Sequence, residues 1–129
     1  MPKKIYYHDT DSGGVVYYAN YLKYFEEGRT EFLREKGIDI KELSQKNILF
    51  IVRNTNIDYK APSAYGDTLE IFTEIKELKN ASIEFLQQAK REGRLLVSAS
   101  VQLVCVNNNF KITGIPEEVA KKISANITP

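Results

Sequence analysis

The sequence is poor in the features that mark secreted, membrane-spanning and nucleic-acid-binding proteins. Its only cysteine, Cys105, cannot form an internal disulfide, which favours a reducing compartment. The longest aliphatic and aromatic run covers only residues 48–52, whereas a bilayer-spanning helix needs about 20. Eighteen Lys and Arg nearly balance 17 Asp and Glu, which argues against a dedicated nucleic-acid binder. We therefore predict a soluble, cytoplasmic protein that binds no nucleic acid and does not insert into a membrane.

The N-terminus, MPKKIYYHD, also lacks the apolar stretch of a signal peptide, and none is expected. The 129 residues suit one domain. A globular chain of this size buries roughly two-thirds of the surface that its unfolded form exposes. We expect a single domain over residues 1–129, with a core that needs no disulfide.

Hydrophobic periodicity predicts one strand, one long helix and then four strands. Residues 4–8 alternate as a short strand, and a helix is expected over 20–36, with Asn20 as its N-cap and Gly37 as its stop. Period-two patterns follow at 48–60, 69–76, 83–90 and 95–105, with a hairpin turn at 92–94. Shorter helices are predicted at 40–46 and at 116–127, the latter with proline in its first turn.

The apolar stripe of the long helix contains a glycine, Gly28. The stripe is formed by Tyr18, Tyr21, Leu22, Phe25, Phe32 and Leu33. A mid-helix glycine costs roughly 1 kcal/mol relative to alanine, and close packing of the helix backbone against another element would compensate for it. The element order predicts an α+β fold in which a five-stranded antiparallel sheet wraps around a central helix. Exposed sheet edges invite pairing, so a symmetric dimer is expected.

The stretch YYHDTDSGGVVYYANYL, residues 6–22, concentrates acids, glycines and aromatic residues, and three interpretations compete for it. An EF-hand-type metal loop beginning at Asp9 would lack ligands at Gly13 and Asn20, so no metal is expected. A plain turn would place acids near a helix N-terminus, where the helix dipole stabilises them. A catalytic loop would use unpaired N–H groups of the helix to hold an oxyanion, and an upstream carboxylate to activate water or attack a carbonyl. The residues alone leave the last two open.

The longer segment YYHDTDSGGVVYYANYLKYFEEGRTEFLRE resembles the N-terminal signature of hotdog-fold acyl-CoA thioesterases of the 4-hydroxybenzoyl-CoA thioesterase family. It is most similar to the YbgC-type branch, whose bacterial members accompany the Tol-Pal system. The similarity continues through VRNTNIDYKAPSAYGDTLEI and into the last strand. The resemblance implies a central helix wrapped by an antiparallel sheet and assembly into homodimers, often homotetramers. It also implies thioester hydrolysis without a cofactor.

The resemblance also assigns roles by position. Asp11 matches the catalytic carboxylate, Tyr7 matches a tyrosine near the site, and the backbone N–H at Tyr18 matches the donor that polarises the thioester carbonyl. YbgC-type proteins commonly carry histidine where this chain has Tyr18, so the role expected here is that of the backbone. Three neighbouring residues are expected to line the substrate: Gly14, Val15 and Val16.

Basic residues at strand ends and turns are candidates for holding the phosphates of coenzyme A by charge. They are Lys60, Lys90, Arg91 and Arg94. Lys60 comes first, because it directly precedes the turn that begins with Ala-Pro. For each residue taken singly, an ordinary solvated charge is the commoner situation.

The remaining chemistry-bearing residues are expected to be structural or solvated. Alternation in the first predicted strand would place Tyr7 and His8 on opposite faces, so we favour Tyr7 for the site and a solvated His8. Cys105 falls on the apolar face of the last strand and is expected to be a core thiol. Asp9 is expected to hydrogen-bond its loop. Asp67 is expected to lie in a turn, and Glu31 on a solvated helix face.

The leading hypothesis is an acyl-CoA thioesterase for small to medium acyl-CoA or acyl-carrier substrates, with Asp11 as general base. Direct attack by Asp11, which would form an anhydride, stays open as a second route. The alternative from another class is a non-catalytic hotdog protein that binds acyl carriers or a protein partner. Hydration or dehydration chemistry is disfavoured, because the only histidine, His8, lies upstream of the helix.

Overall fold

The computed structural model describes residues 1–125, and in that range five strands form one antiparallel sheet accompanied by three α-helices. The elements are β1 (Pro2–Lys4), α1 (Asn20–Glu35), α2 (Ile40–Gln45), β2 (Leu49–Tyr59), β3 (Thr68–Leu78), β4 (Ser82–Arg91), β5 (Arg94–Val106) and α3 (Glu117–Ser124). The strand order is β1-β3-β4-β5-β2, and every neighbouring pair is antiparallel. The predicted α+β architecture is confirmed, and β2 forms one edge of the sheet.

Alternating side chains give the sheet one apolar face, and α1 packs against it. The buried sheet positions include Ile71 in β3, Ile83, Phe85 and Ala89 in β4, and Val97, Val101 and Cys105 in β5. From α1 the buried apolar side chains are Tyr21, Tyr24, Phe25 and Leu33. Full burial of one large apolar side chain contributes roughly 1.5–3 kcal/mol, so this layer is the main source of stability. It also fixes the position of the N-terminus of α1, where the candidate site lies.

Gly28 marks the place where α1 comes closest to the sheet. A Cβ atom at this residue would lie 2.9 Å from both Ile71 Cγ2 and Thr73 Oγ1, and 3.1 Å from Gln87 Nε2. The buried Gln87 amide donates to the Phe25 carbonyl at 2.8 Å and to Thr73 Oγ1 at 3.0 Å. The predicted close packing at this glycine is therefore confirmed, and a polar bridge crosses the same contact.

The turn between β4 and β5 consists of two residues, Glu92 and Gly93, whose φ angles are 51° and 81°. Positive φ at both central residues is typical of a type I′ hairpin turn, whose twist matches that of the flanking strands. The pair Arg91–Arg94 closes it. The hairpin predicted at 92–94 is thus confirmed, with its pairing beginning at Arg94.

The strand predicted over residues 4–8 is wrong. β1 ends at Lys4, and Tyr7–Asp9 form a single 3₁₀ turn. The Asp9 carboxylate accepts the Tyr6 N–H at 2.9 Å, and Asp9 N–H donates to the Tyr6 carbonyl at 3.0 Å. This local side-chain bond closes the turn and stops the strand. Tyr7 and His8 are both exposed as a result, so the expected arrangement on opposite strand faces is wrong as well.

The ends of the helices differ slightly from the prediction. Asn20 is the first residue of α1 rather than its N-cap, and its side chain donates to the Asp9 carbonyl at 2.9 Å. Pro116 is the N-cap of α3 and not part of its first turn. The helix predicted to run to residue 127 is described as far as Ser124, and residues 126–127 lie outside the described range. Within residues 1–125, no helix combines the length and the apolar character that a membrane span requires.

Two residues predicted on the buried stripe of α1 are open to solvent. Tyr18 is 61% exposed and Leu22 is 46% exposed. Tyr18 contacts Tyr59 at the end of β2, and Leu22 lines a hollow together with Val52 of β2. Both therefore face the side of the helix beside the free sheet edge, which leaves this part of the apolar surface uncovered.

Candidate active site

Residues 9–17 form a short hairpin between the 3₁₀ turn and α1. Three backbone pairings hold it: Tyr17 N–H to the Asp9 carbonyl (3.0 Å), Thr10 opposite Val16, and Asp11 N–H to the Val15 carbonyl (2.9 Å). Gly14 N–H closes the tip on the Asp11 carbonyl at 3.0 Å, with a φ of 80° that favours glycine. Asp11 therefore lies at the tip of an ordered loop.

The Asp11 carboxylate is oriented by its own loop and remains exposed. Oδ1 accepts the Gly13 N–H at 2.8 Å, which is the bond of an Asx turn. A Cβ atom at Gly13 would lie 3.1 Å from Oδ1, so glycine allows this close approach. Within residues 1–125, Oδ2 has no hydrogen-bond partner. One oxygen is thus fixed, and the other is free to take a proton or to attack a carbonyl.

Asp9 serves the structure of the loop. It is 8% exposed; its carboxylate holds the 3₁₀ turn, and its carbonyl accepts from Tyr17 N–H and from the Asn20 side chain. The prediction that Asp9 hydrogen-bonds its loop is confirmed. His8 is solvated, as predicted, and its ring stacks on Tyr6 with centroids 5.9 Å apart.

The two residues directly before α1, Tyr18 and Ala19, leave backbone donors free. Asn20 N–H donates to the Tyr17 carbonyl at 2.9 Å, and Tyr21 N–H donates to the Tyr18 carbonyl at 3.3 Å. Among residues 1–125, the N–H groups of Tyr18 and Ala19 find no acceptor. Free N–H groups at the positive end of a helix are suited to hold a developing oxyanion.

Tyr59, the last residue of β2, supports this turn. Its hydroxyl donates to the Tyr18 carbonyl at 3.1 Å, and its ring meets those of Tyr18 and Tyr21 edge-on, with centroids 6.0 and 5.8 Å apart. Partial desolvation and then the neighbouring Tyr18 and Tyr21 raise the pKa of Tyr59. The sequence prediction did not include Tyr59. The available signal was its position at the end of a predicted strand, directly before Lys60.

The turn of residues 61–66 lies against the hairpin. Val16 N–H donates to the Ser63 carbonyl at 2.8 Å, and Val15 pairs with Ala64. Val16 is 5% exposed and belongs to the core, whereas Val15 is half-buried and Gly14 is exposed. Of the three residues expected to line a substrate, Gly14 and Val15 are therefore the two that reach the surface.

Tyr7 lies at the same surface. It is 76% exposed, and its ring meets Tyr65 edge-on with centroids 5.9 Å apart. No bond joins Tyr7 to Asp11 within residues 1–125, although the Tyr7 carbonyl accepts the Thr10 hydroxyl at 2.7 Å. Tyr7 and Tyr65 together form an aromatic wall next to the hairpin.

Arg91, a predicted phosphate ligand, is already bound to an aspartate. Its guanidinium donates to Asp67 Oδ2 at 2.8 Å and lies 3.4 Å from the Pro62 carbonyl. Asp67 Oδ2 also accepts the Ala64 N–H at 2.8 Å. The Ala64 N–H first, and then Arg91, hold the pKa of Asp67 below its ordinary value. The predicted turn role of Asp67 is confirmed, and Arg91 anchors the same turn, which leaves only its unbound N–H groups for a phosphate.

Of the two lysines predicted to bind phosphate, Lys60 lies near the hairpin and Lys90 does not. Lys60 adjoins the turn of residues 61–66 and pairs with Asp58 at 3.1 Å, both side chains being well exposed. The Lys90 ammonium lies 5.1 Å from the centre of the Phe72 ring. Lys90 follows the buried Ala89 in β4, so it lies on the sheet face away from α1. Lys60 and Arg91 are therefore brought near the hairpin, and Lys90 is not.

Replacing Asp67 with asparagine should destabilise the protein by about 1–2 kcal/mol near neutral pH, because Ala64 and Arg91 lose an ionised acceptor. The folded-state pKa of Asp67 is lowered, so its contribution is present above the unfolded pKa near 3.9 and is lost as pH falls through the folded value. Urea denaturation of both proteins across acidic and neutral pH should show the difference shrink in acid.

The matched control for this test is Asp58→Asn, which breaks the exposed pair with Lys60. We expect it to change the free energy of unfolding by less than about 1 kcal/mol at neutral pH. A loss for Asp67→Asn that is equally large in acid would contradict the assigned ionic role.

Two other candidates lie where the sequence predicts them. Cys105 is fully buried, and burial raises the pKa of its thiol, so it is a core residue. Glu31 is solvated and pairs with Arg34 at 2.8 Å.

Comparison with known proteins gives a consistent result over most of the chain. Residues 6–123 match the thioesterase-like superfamily. The acyl-CoA thioester hydrolase YbgC of Escherichia coli is 41% identical over 120 residues, which cover 92% of this chain and 90% of that protein.

Solved structures agree with the sequence comparison. A probable thioesterase from Bartonella henselae superimposes with a TM-score of 0.87 at 33% identity, covering 90% of this chain and 97% of that one. A gentisyl-coenzyme A thioesterase gives a TM-score of 0.88 at 32% identity and covers 93% and 98% of the two chains. The similarity therefore extends over nearly the whole of both structures, and the residues that match the superfamily, 6–123, include the hairpin and α1.

Proposed function

The chain belongs to the thioesterase-like superfamily and has its hotdog fold; from this premise we propose that it hydrolyses small to medium acyl-CoA thioesters, or acyl-carrier thioesters, at the Asp11 hairpin. It is a thioester hydrolase, as its YbgC relatives are. The observation that carries the proposed site is the hairpin of residues 9–17, which exposes the Asp11 carboxylate a few residues before the free N–H of Tyr18. The single, buried Cys105 supports a reducing, cytoplasmic setting.

The proposed general base is Asp11. Its free oxygen takes a proton from water as the water oxygen bonds to the thioester carbon, and the carbonyl electrons move to oxygen. The Tyr18 N–H stabilises this oxyanion. When the intermediate collapses, the carbon–sulfur bond breaks, and the thiolate leaves and is protonated to the thiol. In the second route, Asp11 itself bonds to the acyl carbon, the thiolate leaves, and water hydrolyses the resulting anhydride.

Substrate contacts are proposed on the surfaces that flank this loop. Gly14 and Val15 would lie along the acyl thioester, with Val16 supporting them from the core, and Tyr7 would line the entrance. An exposed ion pair contributes at most about 1 kcal/mol, so a phosphate of coenzyme A can displace Asp58 from Lys60. Two further cations remain weaker candidates because they already have partners: Arg91 and Lys90.

We further propose that the active form is a homodimer built through β2. This strand is an edge of the sheet with 11 residues, and its exposed apolar side chains include Ile51, Val52 and Tyr59. The neighbouring face of α1 adds the exposed Leu22. Long apolar edges are pairing sites, and pairing of β2 with β2 about a two-fold axis would cover this edge.

The dimer is tested by light scattering after gel filtration. The measured mass should be that of a dimer or, if dimers pair, of the tetramer that the resemblance allows. The mass of a monomer would contradict the proposal.

The activity is tested by measuring free thiol release from short, medium, long and aromatic acyl-CoAs and from an acyl-carrier thioester. We expect turnover with kcat/KM of roughly 10⁴ M⁻¹s⁻¹ or more on the best substrate, with short to medium chains preferred. The same substrates are tested for binding by thermal shift. Binding without thiol release from any of them would instead support a non-catalytic carrier-binding protein.

A further inference from the structure

Arg29 is a buried cation: burial lowers the pKa of its guanidinium, and the carboxylate of Glu26 in its own chain raises that pKa without forming a direct ion pair. It lies in the middle of α1, is 8% exposed, and donates from Nη1 to Gln87 Oε1 at 3.0 Å. No ion pair within residues 1–125 includes it. None of its nitrogens is both buried and unbonded, so those that make no bond reach the surface. A charge in this position is stabilised by a paired anion, and removing one partner of such a pair is strongly destabilising.

Glu26 is a carboxylate in the complementary situation. It precedes Arg29 by three residues on α1, is exposed, and forms no ion pair among the described residues. Helix residues three apart lie on the same side. Both side chains line the two adjoining hollows between α1 and β2, which measure about 200 and 320 Å³. One face of the helix therefore presents an anion and a cation that attract each other at a distance, while neither forms a close ion pair among the described residues.

Glu26 and Arg29 lie beside the middle of β2, the edge strand of the sheet. Val52 lines both hollows and Thr55 lines one of them. The middle residue of β2 is Asn54, which lies between these two. If two copies of β2 pair antiparallel over their full length, the two-fold axis passes beside Asn54. The axis then stands level with Glu26 and Arg29.

A two-fold axis at this edge, perpendicular to the sheet, has a simple consequence for the helices. It keeps α1 of both copies on the same face of the joined sheet and makes them antiparallel. Each helix then presents its Glu26–Arg29 face to the other in the opposite order. Like charges are separated, and unlike charges are brought together at two symmetric places.

We propose that Arg29 of each copy binds Glu26 of the other, which forms two reciprocal ion pairs at the centre of the dimer. The inference rests on the β2-to-β2 dimer proposed above. A guanidinium can bind a carboxylate through two parallel N–H groups, so the contact has a defined geometry as well as charge. It would fix the register of the two edge strands and hence the position of each Asp11 hairpin relative to the partner subunit.

The first test replaces the exposed member of the pair. Glu26→Arg should raise the dissociation constant of the dimer by roughly 100-fold or more, because like charges then meet at two places. Sedimentation velocity at several concentrations measures this. Glu35→Arg is the matched control, since it lies about two and a half turns further along α1, on the opposite side. The control should leave the dimer unchanged.

The second test combines two variants in solution. Neither Glu26→Arg nor Arg29→Glu should dimerise well alone, whereas their mixture should form a heterodimer, since both cross-chain contacts become attractive. A pair within one chain could not be restored in this way, because neither variant carries opposite charges at the two positions. If circular dichroism shows that Arg29→Glu is unfolded, Glu26→Gln is measured in place of Arg29→Glu. The dimer dissociation constant of Glu26→Gln should then be at least tenfold lower than that of Glu26→Arg.

The outcomes separate this proposal from the one on which it rests. A monomeric wild-type chain would overturn both the β2 dimer and the ion pairs. A wild-type dimer that withstands Glu26→Arg would overturn the ion pairs alone. Thiol release by the wild-type protein is measured separately and bears only on the proposed activity.

Discussion

Asp11→Asn is expected to lower kcat on the best acyl-CoA by roughly 100- to 10,000-fold, the contribution of one well-placed acid or base. The amide keeps an oxygen that can accept the Gly13 N–H, so the Asx turn at the tip of the hairpin survives. Asp11 is exposed, and surface changes of this kind usually alter the free energy of unfolding by less than about 0.5 kcal/mol. The variant therefore removes the negative charge and little else. Steady-state thiol release and urea denaturation together measure both effects.

The chain offers a close control for this experiment in Asp39. This aspartate is also exposed, and its Oδ1 accepts the N–H of the residue two positions on, Lys41, at 2.9 Å. It caps α2, away from the hairpin. Asp39→Asn makes the same chemical change in the same type of local structure, and kcat should stay unchanged. A folded Asp11→Asn protein with wild-type turnover would exclude Asp11 both as general base and as nucleophile.

The parts of the fold that were predictable are those in which side-chain burial alternates along a strand. In β4, Ile83, Phe85 and Ala89 are all buried, as the period-two pattern requires. Gly28 was informative for a related reason. A glycine on an apolar helical stripe is unfavourable by itself, so its presence pointed to a close contact that the structure contains.

The first strand was mispredicted because one short-range bond outweighed a weak alternation. The Asp9 carboxylate binds the Tyr6 N–H three residues before it and turns the chain. Asp and Asn side chains regularly compete with regular structure in this way. A pattern of only five residues carries too little periodicity to show which interaction dominates.

The details of the candidate site that escaped prediction depend on residues far apart in sequence. Tyr59 reaches the Tyr18 carbonyl across 41 positions, and Arg91 reaches Asp67 across 24. Nothing local distinguishes Arg91, which is held by a carboxylate, from Lys60, whose pair with Asp58 is solvated. For the two acids of the hairpin, the loop bond of Asp9 was predictable from its place in a turn, whereas the role of Asp11 rests on the family resemblance and stays a prediction.

Gly28→Val is expected to lower the free energy of unfolding by about 3 kcal/mol, the upper range for overpacking a close contact. The first added atom alone would lie 2.9 Å from Ile71 and Thr73. It would also lie 3.1 Å from the Gln87 amide, which bridges to the Phe25 carbonyl and to Thr73. Displacing that amide leaves buried polar groups unsatisfied, at about 1–3 kcal/mol each. The gain in helix propensity over glycine is below about 1 kcal/mol and cannot compensate.

The control for the helix-propensity effect is Glu31→Val, one turn further along α1, where the side chain is 46% exposed. It introduces the same β-branched residue without a clash, and the expected loss is below about 1 kcal/mol. Gly28→Ala should fall between the two, because it adds only the clashing Cβ and gains more in propensity. Urea denaturation of the three variants gives this order.

If Gly28→Val is as stable as wild type, α1 can shift away from β3 without loss, and the contact at Gly28 does not fix the position of the helix. Because Gln87 also binds Arg29, a Gly28→Val protein that stays folded should also show a weakened dimer, which links this contact to the proposed interface.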